Sequence, residues 1–190
     1  MEDEQVHTYG FIKKEDSMCR FITITFPKTT NFTLASELAK KYGFYWNYVK
    51  NKSIEFQIPD DMVYCRATNY ECDCDTGLGS IVREDDKWTD IYSRFKIIFP
   101  DGQGDFVKAL EIETQENRLR KLEDRKRWLN FIKDFLEHTE GKFGILLHDY
   151  TSTLEEEHII IQSNFHVKIY TLTEKFLSEL KEDVLYIFEV

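Results

Sequence analysis

From residue 105 to about residue 140 the chain contains no proline, and beyond Gly104 the next glycine is Gly141. A stretch without breakers reads as one helix. At 1.5 Å per residue it would run roughly 50 Å. A compact domain of this length is only about 40 Å across. The helix is therefore expected to bend, to break near Thr114 or to project. Leu122, Leu129 and Leu136 recur at heptad spacing, with Trp128, Ile132 and Phe135 beside them, so the apolar stripe is strong only in the second half. In the first half, Glu116 with Arg120 and Glu123 with Arg127 stand four residues apart in the favourable order.

Strand patterns flank this helix. Residues 19 to 26 run through Phe21, Ile22, Thr23, Ile24, Thr25 and Phe26 before Pro27 ends the run. Such β-branched and aromatic residues suit a pleated surface. Residues 33 to 43 read as a short helix, capped by Thr33 and closed by Gly43, with Leu34, Leu38 and Tyr42 on one face. Residues 44 to 68 read as a strand meander. Its parts are an aromatic run, a polar turn at Lys50-Asn51-Lys52-Ser53, a strand through Ile54, Phe56 and Ile58, and a further strand over 62–67. A helix is expected over 86–98. Beyond Gly141, strands are expected over 143–147, 158–162, 165–170 and 184–190, with a Thr173-capped helix over 173–181.

The strands cluster instead of alternating strictly with helices. That order predicts an α+β fold in which one mostly antiparallel sheet is covered on one face by helices, including the long helix at about 105–140. The 190 residues fit a single domain spanning 1–190. Fifteen Phe and ten Tyr supply a core that a disordered chain would lack.

The formal net charge of −10 disfavours nucleic acid and anionic membrane surfaces as partners. The longest apolar runs, such as Ile159-Ile160-Ile161, are far too short to span a bilayer. The start, Met1-Glu2-Asp3-Glu4-Gln5, has neither the basic nor the apolar part of a secretory leader, so a cytoplasmic location is expected. Thiols stay reduced there, and Cys19, Cys65, Cys72 and Cys74 are expected to be free.

Residues 69 to 80 fit no period and form the stretch with most scope for a site, since irregular loops on a rigid scaffold often carry function. Cys72 and Cys74 flank Asp73, with Cys65 nearby. Soft thiolates suit zinc, and with Cys19 elsewhere in the chain four could hold it tetrahedrally; Cys72, Cys74 and Cys65 are the candidate metal ligands and zinc the one cofactor candidate. The single pair, spaced by one residue, falls short of the two pairs most zinc sites use. Asp73, Asp75 and Glu84 also fall at positions 1, 3 and 12 of a calcium loop, but Gly77 and Leu78 occupy positions that need a ligand and a glycine. Asp101-Gly102-Gln103-Gly104-Asp105 lacks the third glycine of a dinucleotide fingerprint, and its acids would repel phosphate.

Arg118, Arg120, Lys121, Arg125, Lys126 and Arg127 make a basic cluster, interleaved with Glu116, Glu123 and Asp124 as on a solvated, salt-bridged helix face. His148, followed by Asp149 and Tyr150 and by His158 further on, offers acid–base or metal chemistry. The run Phe44-Tyr45-Trp46-Asn47-Tyr48 presents Trp46 and Tyr48 as partner-binding residues, because Tyr and Trp dominate interface hot spots. No motif assigns a reaction. The sequence is therefore read as a small acidic interaction module of inhibitor, immunity or adaptor type that binds another protein. The alternative is a metal-binding or metal-dependent enzyme domain that uses the Cys72/Cys74 loop or His148 and His158.

Overall fold

The computed structural model describes residues 19–68, 70–80, 104–139 and 141–190, with the side chains of the long helix from Gln115 onward. The helix expected over 86–98, Glu84 and the Asp101 turn up to Gln103 lie outside the described residues.

The alternating run after Cys19 forms β1 (Cys19–Pro27). The other strands are β2 (Met62–Arg66), β3 (Lys142–Tyr150), β4 (Ser163–Lys168) and β5 (Val184–Glu189). They form one sheet in the order β2-β1-β3-β5-β4. Every neighbouring pair is antiparallel except β4 with β5. The helices are α1 (Phe32–Lys41), α2 (Lys52–Glu55), α3 (Gly104–His138) and α4 (Glu174–Ser178). This is a single α+β fold with a mostly antiparallel sheet, as the order of patterns predicts.

α3 runs unbroken from Gly104 to His138, so the expected break near Thr114 does not occur. Its apolar stripe begins to be buried at Trp128 and continues through Phe131, Ile132, Phe135 and Leu136. The ring of Phe131 meets Phe143 of β3 edge-on at 5.3 Å, and Phe44 lies 4.1 Å from Trp128. These rings join the inward residues of β1, namely Ile22, Ile24 and Phe26, in the main core. Buried aromatic side chains on this scale contribute heavily to core stability. α1 starts two residues earlier than the Thr33 cap would place it, with Asn31 as the cap. Asn31 Oδ1 accepts the N–H groups of Thr33 and Leu34, and Gly43 closes the helix at φ +73° as expected.

The opposite face of the sheet is covered too, by α2 and the segment over 154–161, around Tyr64, Leu146, Tyr150 and Ile187. Here the sequence pattern misleads. The polar turn at Asn51 is a buried cap: Asn51 Oδ1 accepts from Ser53 N, while Nδ2 donates to Leu154 O at 2.9 Å and to Glu157 O at 2.8 Å. The residues after it curl into one helical turn, so the strand expected through Ile54, Phe56 and Ile58 is absent. The strand expected over 158–162 is also absent. Ile159 N donates to Ser53 Oγ at 3.0 Å and Ile161 N to Gln57 Oε1 at 2.8 Å, so side chains replace a neighbouring strand.

The two registers make different predictions. A strand would place Ile54 and Phe56 on one face, whereas the helical turn buries Ile54 fully and leaves Phe56 85% exposed. Ile54→Ala should cost about 2–5 kcal/mol, and Phe56→Ala should stay within about 0.5 kcal/mol. Urea denaturation of the two variants checks this, and equal losses would contradict the helical turn.

Candidate metal centre

β2 covers β1 only from Thr23 to Pro27. The backbone groups of Arg20 and Ile22 on that side need other partners, since buried amides are almost never left unpaired. The chain leaving β2 provides them. Ala67 N donates to Ile22 O at 3.2 Å, and Asp73 N donates to Arg20 O at 2.7 Å. Ile22 N donates to Asp73 Oδ2 at 3.0 Å, and Arg20 N donates to Cys74 Sγ at 3.4 Å. The second oxygen of Asp73 accepts the Thr68 hydroxyl at 2.6 Å. Asp73 is buried, and desolvation pushes its pKa above the ordinary carboxylate value, against the hydrogen bonds from Thr68 and Ile22 that hold it down.

The far side of the same loop is wedged against α3. Thr76 Oγ1 and Gly77 N both donate to Asp124 Oδ2, at 2.9 and 2.7 Å. Arg125 reaches Ser80 Oγ at 2.8 Å. A Cβ on Gly77 would stand 2.2 Å from the Lys121 carbonyl oxygen, so only glycine permits this approach. Gly79, at φ +58°, is held in the left-handed region, and a Cβ there would lie 2.6 Å from Leu180 O. The basic cluster of α3 is thus partly spent on this loop and on the core. Arg120 pairs with Asp75 at 3.2 Å, and Arg127 pairs with Asp124 and lies 4.8 Å over the Phe44 ring. Those partners replace the Glu116–Arg120 and Glu123–Arg127 pairings expected along the helix.

Docked in this way, the loop carries Cys72 and Cys74 to the start of β1. The sulfurs of Cys19, Cys72 and Cys74 all lie within 4.8 Å of one another, and all three residues are half-buried. Three thiolates about 2.3 Å from one ion would be separated by about 3.8–4.0 Å, so small side-chain rotations close the set. Cys65 does not join them. It lies buried in β2 against the helices, and burial pushes its thiol far above the usual range. Cys19, not Cys65, completes the cluster with Cys72 and Cys74. The pairing of the loop with β1 brings Cys19 in, and no local pattern announces that pairing.

A second polar cluster sits at the same end of the sheet. Arg20 is 4% exposed and holds Asp149 at 3.0 Å, the Gly79 carbonyl at 3.4 Å and the Glu182 carboxylate. On the opposite face, His148 Nδ1 lies 2.6 Å from Asp183 Oδ1, and Nε2 lies 3.5 Å from Glu157 Oε1. Asp183 adopts φ +58°, uncommon for a residue with a side chain. His158 is exposed, and carboxylates, not His158, face the two ring nitrogens of His148.

Trp46 and Tyr48 part company. Trp46 is half-buried, stacked on Phe26 at 4.8 Å and 6.0 Å from Phe135, so it belongs to the core margin. Tyr48 is 71% exposed and stacks on Phe32 at 5.6 Å. Among the described residues no helix is long and apolar enough to cross a membrane.

No family model, curated protein or solved structure matches the chain.

Glu157 gives this end of the molecule a pH signature. Desolvation raises its pKa, but the backbone N–H and hydroxyl groups of Ser152 and Thr151 outweigh it and bring the carboxyl down to about 2. A carboxylate depressed on folding contributes stability at neutral pH, and loses it as pH falls from the ordinary value of about 4.5 towards 2. Glu157→Gln should therefore be destabilising at pH 7, with the deficit shrinking as pH approaches 2. Urea midpoints of both proteins across that range test it, and a pH-independent deficit would contradict the assignment.

Proposed function

We propose that this domain binds a soft metal ion, zinc first, through the thiolates of Cys19, Cys72 and Cys74. The observation that supports the reading is the convergence of three sulfurs from two separate chain segments at one point. Thiolates select zinc and copper(I) over magnesium and calcium. The backbone N–H of Arg20, donated to Cys74, is the kind of outer contact that orients a ligating sulfur and tunes it. The role we assign is that of a metal-binding domain rather than an enzyme of stated reaction.

A second reading keeps the small acidic module that binds another protein. It rests on the exposed Phe32–Tyr48 stack, since paired exposed aromatics are typical interface anchors. Trp46 supports that surface from behind rather than presenting itself.

Native mass spectrometry of the reduced protein, after zinc addition and buffer exchange, decides between them. The metal reading predicts one zinc per chain, retained in Cys65→Ser and lost in Cys19→Ser. An apo mass in the parent protein, or equal retention in both variants, would remove it. Self-association in the same spectrum that disappears in Tyr48→Ala would favour the interaction reading.

A further inference from the structure

A cavity of about 500 Å³ lies between the loop and α3, and Cys72 lines it. Cys72 therefore belongs both to the sulfur cluster and to the wall of an open space. Among the described residues no His, Asp or Glu completes the cluster as a fourth ligand. Structural zinc sites close with four protein ligands, whereas sites that meet an exogenous molecule keep three and leave one position open. Resting on the metal reading above, we infer that the ion held by Cys19, Cys72 and Cys74 keeps an open coordination position, which takes a neutral nitrogen donor arriving through this cavity.

The chemical class of that donor follows from the wall. The cavity is lined by Asp73, Asp75, Glu123 and Asp124 against Arg120 and Arg127. Asp75 pairs with Arg120 and Asp124 with Arg127, so with the buried, hydrogen-bonded Asp73 set aside the wall keeps one carboxylate, Glu123, beyond those two ion pairs. Three thiolates on a divalent ion leave that unit with a net negative charge. An anion entering here meets like charge from the three-thiolate centre and from Glu123. A neutral imidazole or amine meets no such barrier, and Trp128 and Ile22 supply apolar wall for a flat ring. The same negative charge attracts the incoming metal cation, which gives the site the entry path that any metal site requires.

Cobalt(II) makes the coordination visible. The reduced full-length chain is loaded with Co²⁺, and its thiolate charge-transfer and d–d bands are recorded during titration with imidazole and, separately, with acetate. The inference expects a three-thiolate charge-transfer signature, a saturable shift of the d–d bands with imidazole, and none with acetate at the same concentration. Bands that ignore imidazole while the three-thiolate signature is present would overturn the open position and leave the metal reading standing. Bands moved equally by acetate would overturn the assigned selectivity. A chain that binds no cobalt and no zinc would overturn the metal reading itself.

Discussion

The carboxylate of Asp73 takes the place of a strand. β2 stops short of the first residues of β1, and the exposed backbone there would leave buried N–H groups without acceptors, each costing about 1–3 kcal/mol. Asp73 answers with one oxygen for Ile22 N and its own N–H for Arg20 O, and Thr68 holds the other oxygen. The cost is a desolvated carboxylate, visible in its raised pKa. In return, the chain between Cys72 and Cys74 is held at the start of β1, and the sulfurs on either side of Asp73 are brought to Cys19.

The second constraint is steric. Gly77 and Gly79 let the loop lie against the backbone of α3 and the chain after α4, at distances no side chain would tolerate. Asp124 on α3 then receives Thr76 and Gly77 N, while Arg125 takes Ser80. The long helix serves two purposes along its length. From Trp128 onward it fills the core, and its preceding turns form the platform on which the cysteine loop sits. Three charged residues in those turns, Arg120, Asp124 and Arg125, hold that loop, where the sequence pattern reads as a solvated, salt-bridged helix face.

Much of the fold is legible in the sequence because it follows local periodicity. β1, β2, β3 and β5 come from β-branched and aromatic runs, and α3 comes from the absence of breakers beside a strong stripe. The two strands that fail to form, through Ile54 to Ile58 and over 158–162, share one cause. At Asn51, Ser53 and Gln57, polar side chains bond to backbone a hundred residues away, and this turns an apparent strand into a helical turn and strips another strand of its ladder. The candidate site was half legible for the same reason. Cys72 and Cys74 stand out in an irregular loop, and their proximity in sequence points to them. Cys19 is separated from them by more than fifty residues and joins through the pairing of the loop with β1, whereas Cys65, nearer in sequence, faces the core because of its parity in β2.

Docking of the glycine loop against α3 is what brings the three thiols together. Gly77→Ala keeps every cysteine and every charge, and adds a methyl group where the Lys121 carbonyl stands. Zinc affinity by competition with a chromophoric chelator, read beside far-ultraviolet circular dichroism, tests that claim most directly. The account predicts a loss of affinity by about tenfold or more, the scale on which displaced supporting contacts act, with helix content retained. Affinity equal to that of the parent chain would contradict it, because the cysteines would then be finding one another without the docked loop.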